Sequence, residues 1–356
     1  MKVSPNTIFD AHLDLAYLAE LGRDMTSPVQ TLQESIDPHP PAAVTLPELQ
    51  AAGVHRCLGT IFTEALTKPA TAPTPIAYPI GDARAAYDRG IAQINRYHAW
   101  ARDGRIRFFN QPVPETDHAT ATAPPIELGI LIENADPVLS PDDLPFWSER
   151  GVVAIGLSWV HQSRYAGGNG TDSGLTDLGR RMIDAMAALG LVLDFSHLSQ
   201  RATEEALEIV QGPVCATHSN CRALLGGRSA DGWQRHLDDE RIAAIAQRGG
   251  VIGLNLYKGF VRAGLAPDER PTIDDTVAHI DHICQITGNV DHAGLGSDLD
   301  GGFNATRLPA DIDRAADLPK LFDALRDRGY SDDDTRRIAW GNWSRLFGLD
   351  PAADAQ

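Results

Sequence analysis

The sequence predicts a (β/α)8 barrel, and three observations carry that prediction. Eight short apolar runs bounded by turn residues recur along the chain. Amphipathic helical stretches separate most of them, and strand–helix alternation of that length points to a closed parallel barrel. No GxGxxG follows the first run, so the dinucleotide-binding form of the competing doubly wound sheet has no support. The chain of 356 residues reads as one domain, 1–356, with irregular loops near 64–81 and 224–239.

The strand candidates are "TIFDAHLD" (7–14), "GVHRCLGTIF" (53–62), "IELGILIE" (126–133) and "GVVAIGLSW" (151–159). They continue with "GLVLDFSH" (190–197), "GPVCATH" (212–218), "GVIGLNLY" (250–257) and "HAGLGSD" (292–298). Near-continuous apolar runs suit parallel strands covered on both faces. Helices are expected over 82–103, 176–190, 199–212, 238–250 and 272–288. Gly190 is the expected stop of the second and Ser199 the expected N-cap of the third. Segments 142–147 and 332–347 read as packing elements, and the tail "LDPAADAQ" as frayed.

Composition narrows the function. The chain is 43% hydrophobic and 22% charged, the balance of a globular protein. Its net charge of −17 repels phosphate backbones and anionic lipid surfaces, so neither nucleic acid nor membrane is an expected partner. No apolar run approaches the ~18 residues a spanning helix needs. The N-terminus lacks a secretory pattern, and Cys57, Cys215, Cys221 and Cys284 form no CxxC pair. Reduced cysteines and a cytoplasmic location are the expectation.

Polar residues stand at the strand ends, where barrels of this class place their chemistry. The first run carries His12 and Asp14, two residues apart and so on one side of a strand. The third ends on Glu133, the fourth on Trp159, the fifth on His197, the sixth on His218 and the eighth on Asp298. Three histidines and three carboxylates thus converge, and no lysine or arginine ends any of these strands. Buried carboxylates need a compensating cation, and a metal supplies it. Imidazole and carboxylate without thiolate suit Zn²⁺, with Mn²⁺, Co²⁺ or Fe²⁺ as alternatives.

Five ligands exceed the about three that one catalytic zinc takes from protein, and they suit two ions sharing a carboxylate. His12 and Asp14 are expected at one ion, His197 and His218 at the other, and Glu133 between them. Such a pair binds a hydroxide between its ions, and Asp298 is the expected proton carrier. Asp300, two residues on in "GSDLDGG", either shares the site or caps loop amides. His39, His55 and His118 have no constellation around them, and His98, His279 and His282 lie on expected helices.

These residues resemble the motifs of the membrane (renal-type) dipeptidases, peptidase family M19, among the amidohydrolase-like metal-dependent hydrolases. "DAHLDL" resembles that family's His-x-Asp motif, "LIENAD" its bridging-glutamate motif, and "DFSHLS" and "THSNCRAL" its two histidine motifs. "VDHAGLGSDLDGG" and "GNWSRLF" resemble its C-terminal signatures, so the likeness runs from about residue 8 to 348. The resemblance implies a binuclear zinc site from His12, Asp14, Glu133, His197 and His218, with Asp298 as catalytic acid/base. It implies that Arg235 binds the substrate carboxylate, with Arg228 as second candidate, and that Tyr257 lines the pocket. It also implies a homodimer. Trp159 stands where the mammalian-type enzymes place a substrate-contacting histidine, and His161 follows two residues later.

The expected function is therefore metal-dependent hydrolysis of dipeptides or related N-acyl amino acids. Lactone, cyclic amide or phosphoester hydrolysis on the same site is the alternative, and a catalytically silent binding protein the third reading.

Overall fold

The computed structural model describes residues 7–67, 74–109, 124–227 and 232–349. Eight parallel strands close on themselves: β1 (Ile8–Leu13), β2 (Val54–Ile61), β3 (Ile126–Ile132), β4 (Val152–Gly156), β5 (Val192–Asp194), β6 (Val214–Ala216), β7 (Val251–Leu254) and β8 (Ala293–Leu295). Each pairs with the next, and Asp10 of β1 lies opposite Leu295 of β8, which closes the barrel. All eight expected strands are present, each shorter than its apolar run. The excess matters, because the polar residues that end the runs lie in the turns beyond the ladder.

Helix boundaries follow from their caps. Asp82, Thr176, Ser199, Asp238 and Thr272 each accept a backbone N–H of the first turn with their side chains. They open helices Ala83–Arg102, Asp177–Leu189, Gln200–Ile209, Asp239–Gln247 and Ile273–Thr287. Gly190 ends the second of these at φ 68°, a left-handed conformation that costs a side-chain-free residue nothing.

The main core joins the strands to these helices. A smaller cluster draws on seven strands, with Phe9 and Ala11 from β1 and Leu58, Leu131, Ala154, Val192, Cys215 and Val251 from β2 to β7. Side chains from successive strands meeting in one cluster form the packed interior of the barrel. Trp340 and Trp343 of the C-terminal segment join it. Gly294 makes room for Trp343: a Cβ there would come within 2.3 Å of its Nε1.

The segment near 64–81 is less irregular than expected. Glu64–Leu66 and Ala77–Pro79 pair in parallel as a two-stranded sheet. Within 224–239 the described residues form short 3-10 turns, the second being Trp233–Arg235. The expected frayed tail falls outside the described residues, apart from Leu349. Among the described residues no helix is long and apolar enough to cross a membrane.

Candidate metal centre and substrate cavity

The C-terminal ends of the strands bring six titratable side chains together. His12 lies in β1, and Asp14 just beyond it precedes the short helix Leu15–Glu20 without a side-chain capping bond to it. Glu133 follows β3 directly. His197, His218 and Asp298 lie in the turns after β5, β6 and β8. His197 and Asp298 have φ of 66° and 60°, a left-handed backbone that non-glycine residues rarely adopt. Such strain concentrates at functional sites.

Glu133 stands at the centre. Its Oε1 is 3.2 Å from His197 Nε2 and 3.5 Å from His218 Nε2, and its Oε2 is 3.7 Å from His12 Nε2. Two sets of candidate ligand atoms lie within 4.8 Å of one another: His12, Glu133 and His218, and His12, Asp14 and Asp298. His12 belongs to both sets. Thr60 donates to Asp14 Oδ1, and Asn255 Nδ2 donates to Asp298 Oδ2 at 2.8 Å. Gly301 has to be glycine, since a Cβ there would lie 1.9 Å from Asp298 Oδ1 and 2.8 Å from Asp14 Oδ2.

Every ring is held from behind. His197 Nδ1 donates to Asn169 Oδ1 at 3.0 Å, while His12 Nδ1 and His218 Nδ1 lie 3.1 and 3.0 Å from the Thr217 hydroxyl. The Nε2 atoms face inward, and that of His12 is buried without a hydrogen-bond partner. Burial pushes the carboxyls of Glu133 and Asp298 up to about 8 and that of Asp14 up to about 6. Burial, reinforced by neighbouring positive charge, drives His197 and His218 well below the usual imidazole range. Neutral imidazoles with inward lone pairs beside buried carboxyls form a donor set that fits a divalent cation.

The centre opens into a cavity of about 730 Å³. Arg235, Tyr257 and Trp159 all line it. Arg235 is 5% exposed and donates to Ser219 Oγ and to the His218 carbonyl. Its Nε is buried without a partner. Trp159 lies beyond β4, edge-on to Phe62 with ring centroids 5.0 Å apart.

Other expectations change. His161 is exposed and not part of the cavity wall. Arg228 lies outside the described residues. Asp300 does not reach the cavity: it caps the amides of Ala43 and Val44 at 2.7 and 3.1 Å and pairs with buried Arg23. His39, which has no constellation in sequence, does line the cavity and bonds the Tyr17 hydroxyl at 3.1 Å. Asn169 and Thr217 carry no sequence signal of their own, whereas Asn255 stands in the polar end of the seventh apolar run, and the fold places all three behind the site.

Comparison with known proteins agrees with this fold. The family model of the membrane dipeptidases, peptidase family M19, matches residues 3–353. An uncharacterised protein of the pqqA 5′ region of Klebsiella pneumoniae is 34% identical over 213 residues, covering 58% of this chain and 74% of that one. An uncharacterised dipeptidase of Schizosaccharomyces pombe is 30% identical over 51% of this chain, and the match spans only 41% of that longer protein. A solved M19 metallopeptidase described as dipeptidase AC superposes with a TM-score of 0.78 at 24% identity, covering 97% of this chain and 98% of that one. A metallopeptidase from Rhodobacter sphaeroides, liganded with a phosphinate mimic of L-Ala-D-Ala, superposes at 0.77 and 24%, covering 96% and 98%.

Proposed function

The chain belongs to the membrane dipeptidase family, peptidase family M19, and is a metal-dependent dipeptidase; we propose that it hydrolyses free dipeptides, L,L or L,D, at the centre formed by His12, Asp14, Glu133, His197, His218 and Asp298. The observation that carries this reading is the convergence of three inward imidazole Nε2 atoms on Glu133, beside a buried arginine in the same cavity.

His12 and Asp14 would hold one divalent ion and His197 and His218 a second, with Glu133 shared, and zinc suits that donor set. Ions there supply Lewis-acid polarisation of the scissile carbonyl and lower the pKa of water toward neutrality. The protein does the rest. Asp298, kept able to hold a proton near neutral pH by its burial and anchored by Asn255, takes a proton from the attacking water and returns it to the leaving nitrogen. Arg235 pairs with the substrate carboxylate, its unpartnered Nε offering a donor on the cavity side. Tyr257 and Trp159 bound the side-chain space. Three buried free cysteines, with Cys284 half-buried, support a cytoplasmic location.

The test is a panel of L,L- and L,D-dipeptides, their C-terminal amides and N-acyl amino acids, run on zinc-reconstituted protein and on Arg235→Met. We expect free dipeptides to be cleaved and Arg235→Met to raise their KM, the lost charge-assisted pair being worth about 1.5–3 kcal/mol. Amides should respond far less. An equal loss on both would take carboxylate recognition away from Arg235.

A further inference from the structure

We infer that Thr217 is a shared positioning residue whose single hydroxyl fixes the tautomer of both His12 and His218 and so couples the two halves of the metal centre. The inference rests on reading those histidines as ligands.

A hydroxyl has one proton to donate and two lone pairs with which to accept. Thr217 Oγ1 lies 2.5 Å from Asp194 Oδ2, and a carboxylate only accepts, so the hydroxyl proton goes there. Asp194 is itself fixed, since its Oδ1 accepts the backbone N–H groups of Ser196 and Thr217, both at 2.9 Å. What remains on the hydroxyl is its two lone pairs. His12 Nδ1 at 3.1 Å and His218 Nδ1 at 3.0 Å take one each, and both must donate. The valence of one oxygen is then used up. The Ser196 hydroxyl, at 3.4 Å, is farther away than any of these three partners.

Two consequences follow. With Nδ1–H pointing back at Thr217, each ring presents a bare Nε2 forward, the form a metal ligand needs. The rings also stack, with centroids 3.5 Å apart and planes 26° apart, so neither turns without the other. They come from β1 and β6, which β7 and β8 separate in the barrel, so the hydroxyl ties the barrel together across its mouth. Glu133 touches the same two rings from the front, Oε2 toward His12 and Oε1 toward His218. All four members behind it, Asp194, Thr217, His12 and His218, are essentially inaccessible to water. Loss of the hydroxyl would therefore strand two buried ring N–H groups at once. His197, held separately by Asn169, lies outside this linkage.

The experiment is a zinc titration against a chelating competitor on wild type, Thr217→Val and Thr217→Ser. Valine keeps the volume and removes the hydroxyl, while serine keeps the hydroxyl. Thr217→Val should lose about 10–100-fold in affinity for both ions, the usual effect of removing a ligand's outer hydrogen-bond partner. Thr217→Ser should stay close to wild type. Loss at one ion or at neither, or a serine variant that falls as far as valine, would overturn the inference. Should Thr217→Val not fold, nitrogen-detected NMR of ¹⁵N-histidine-labelled, metal-free wild type reads the tautomers directly. Nδ1–H on both His12 and His218 supports the linkage, and Nε2–H on either overturns it. A wild type that binds no ion would sink the ligand reading and this inference with it.

Discussion

His197 Nε2 and His218 Nε2 stand 3.0 Å apart. Both rings place their proton on Nδ1, toward Asn169 and Thr217, and burial keeps both neutral. Two lone pairs at that distance repel. A cation between them and Glu133 turns the repulsion into ligation.

Metal should therefore stabilise the fold. Chelation should lower the thermal midpoint and reloading should restore it, since an ion present at about a thousand times its Kd adds about 4 kcal/mol. Metal analysis should approach two ions per chain. Glu133→Gln should weaken both, because the carboxylate faces all three histidines. A variant that keeps two tightly held ions would remove Glu133 from the shared position.

Proton transfer gives a separate test. Asp298→Asn should reduce kcat by roughly 10²–10⁴, the range for a lost general acid/base. Asn255 can still bond the amide, so metal content should change little. Turnover near that of wild type would give the role to another group.

The stability of the metal-free protein should depend on pH with a definite sign. Burial raises Glu133 and Asp298 to about 8 and Asp14 to about 6, whereas the unfolded chain titrates near pH 4. A raised carboxyl contributes its stability fully below the unfolded value and loses it as pH rises through the folded one. Metal-free protein should thus weaken steadily from about pH 4 to just above pH 8 on account of these groups. His197 and His218, pushed down, act oppositely and cost stability as pH falls below about 6.5. Bound cations favour the ionised carboxylates, so ion binding at neutral pH should release protons. The loaded protein should hold its midpoint across pH 7–8.5 while the metal-free one falls. Parallel slopes for the two forms would contradict this assignment of the buried charge.

Much of the site is legible in sequence because barrel strands place it there. "HLD", "LIE", "FSH", "ATH" and "GSD" each put a ligand-type residue at the end of an apolar run, and the fold brings all of these ends to one mouth. Residues set by tertiary contact are not legible. Asp300 sits in the same motif as Asp298, yet its partner Arg23 is 277 residues away, and only the folded chain shows that it holds loop 43–44. Asn169 hides in the glycine-rich "AGGNG", and Thr217 looks like an ordinary strand residue. His39 reaches the cavity through a loop whose path depends on that same Arg23 network, through Asp37. Trp159 is three residues past the end of its strand, and contact with Phe62, not strand alternation, turns it to the cavity.

The most direct measurement is hydrolysis of L-Ala-D-Ala and L-Ala-L-Ala by chelator-stripped protein titrated with zinc. Turnover should be absent without metal, rise as zinc is added and level off near two equivalents per chain. Reconstituted protein that cleaves no dipeptide, or stripped protein that cleaves as fast as loaded protein, would contradict a metal-dependent dipeptidase built on His12, Asp14, Glu133, His197 and His218.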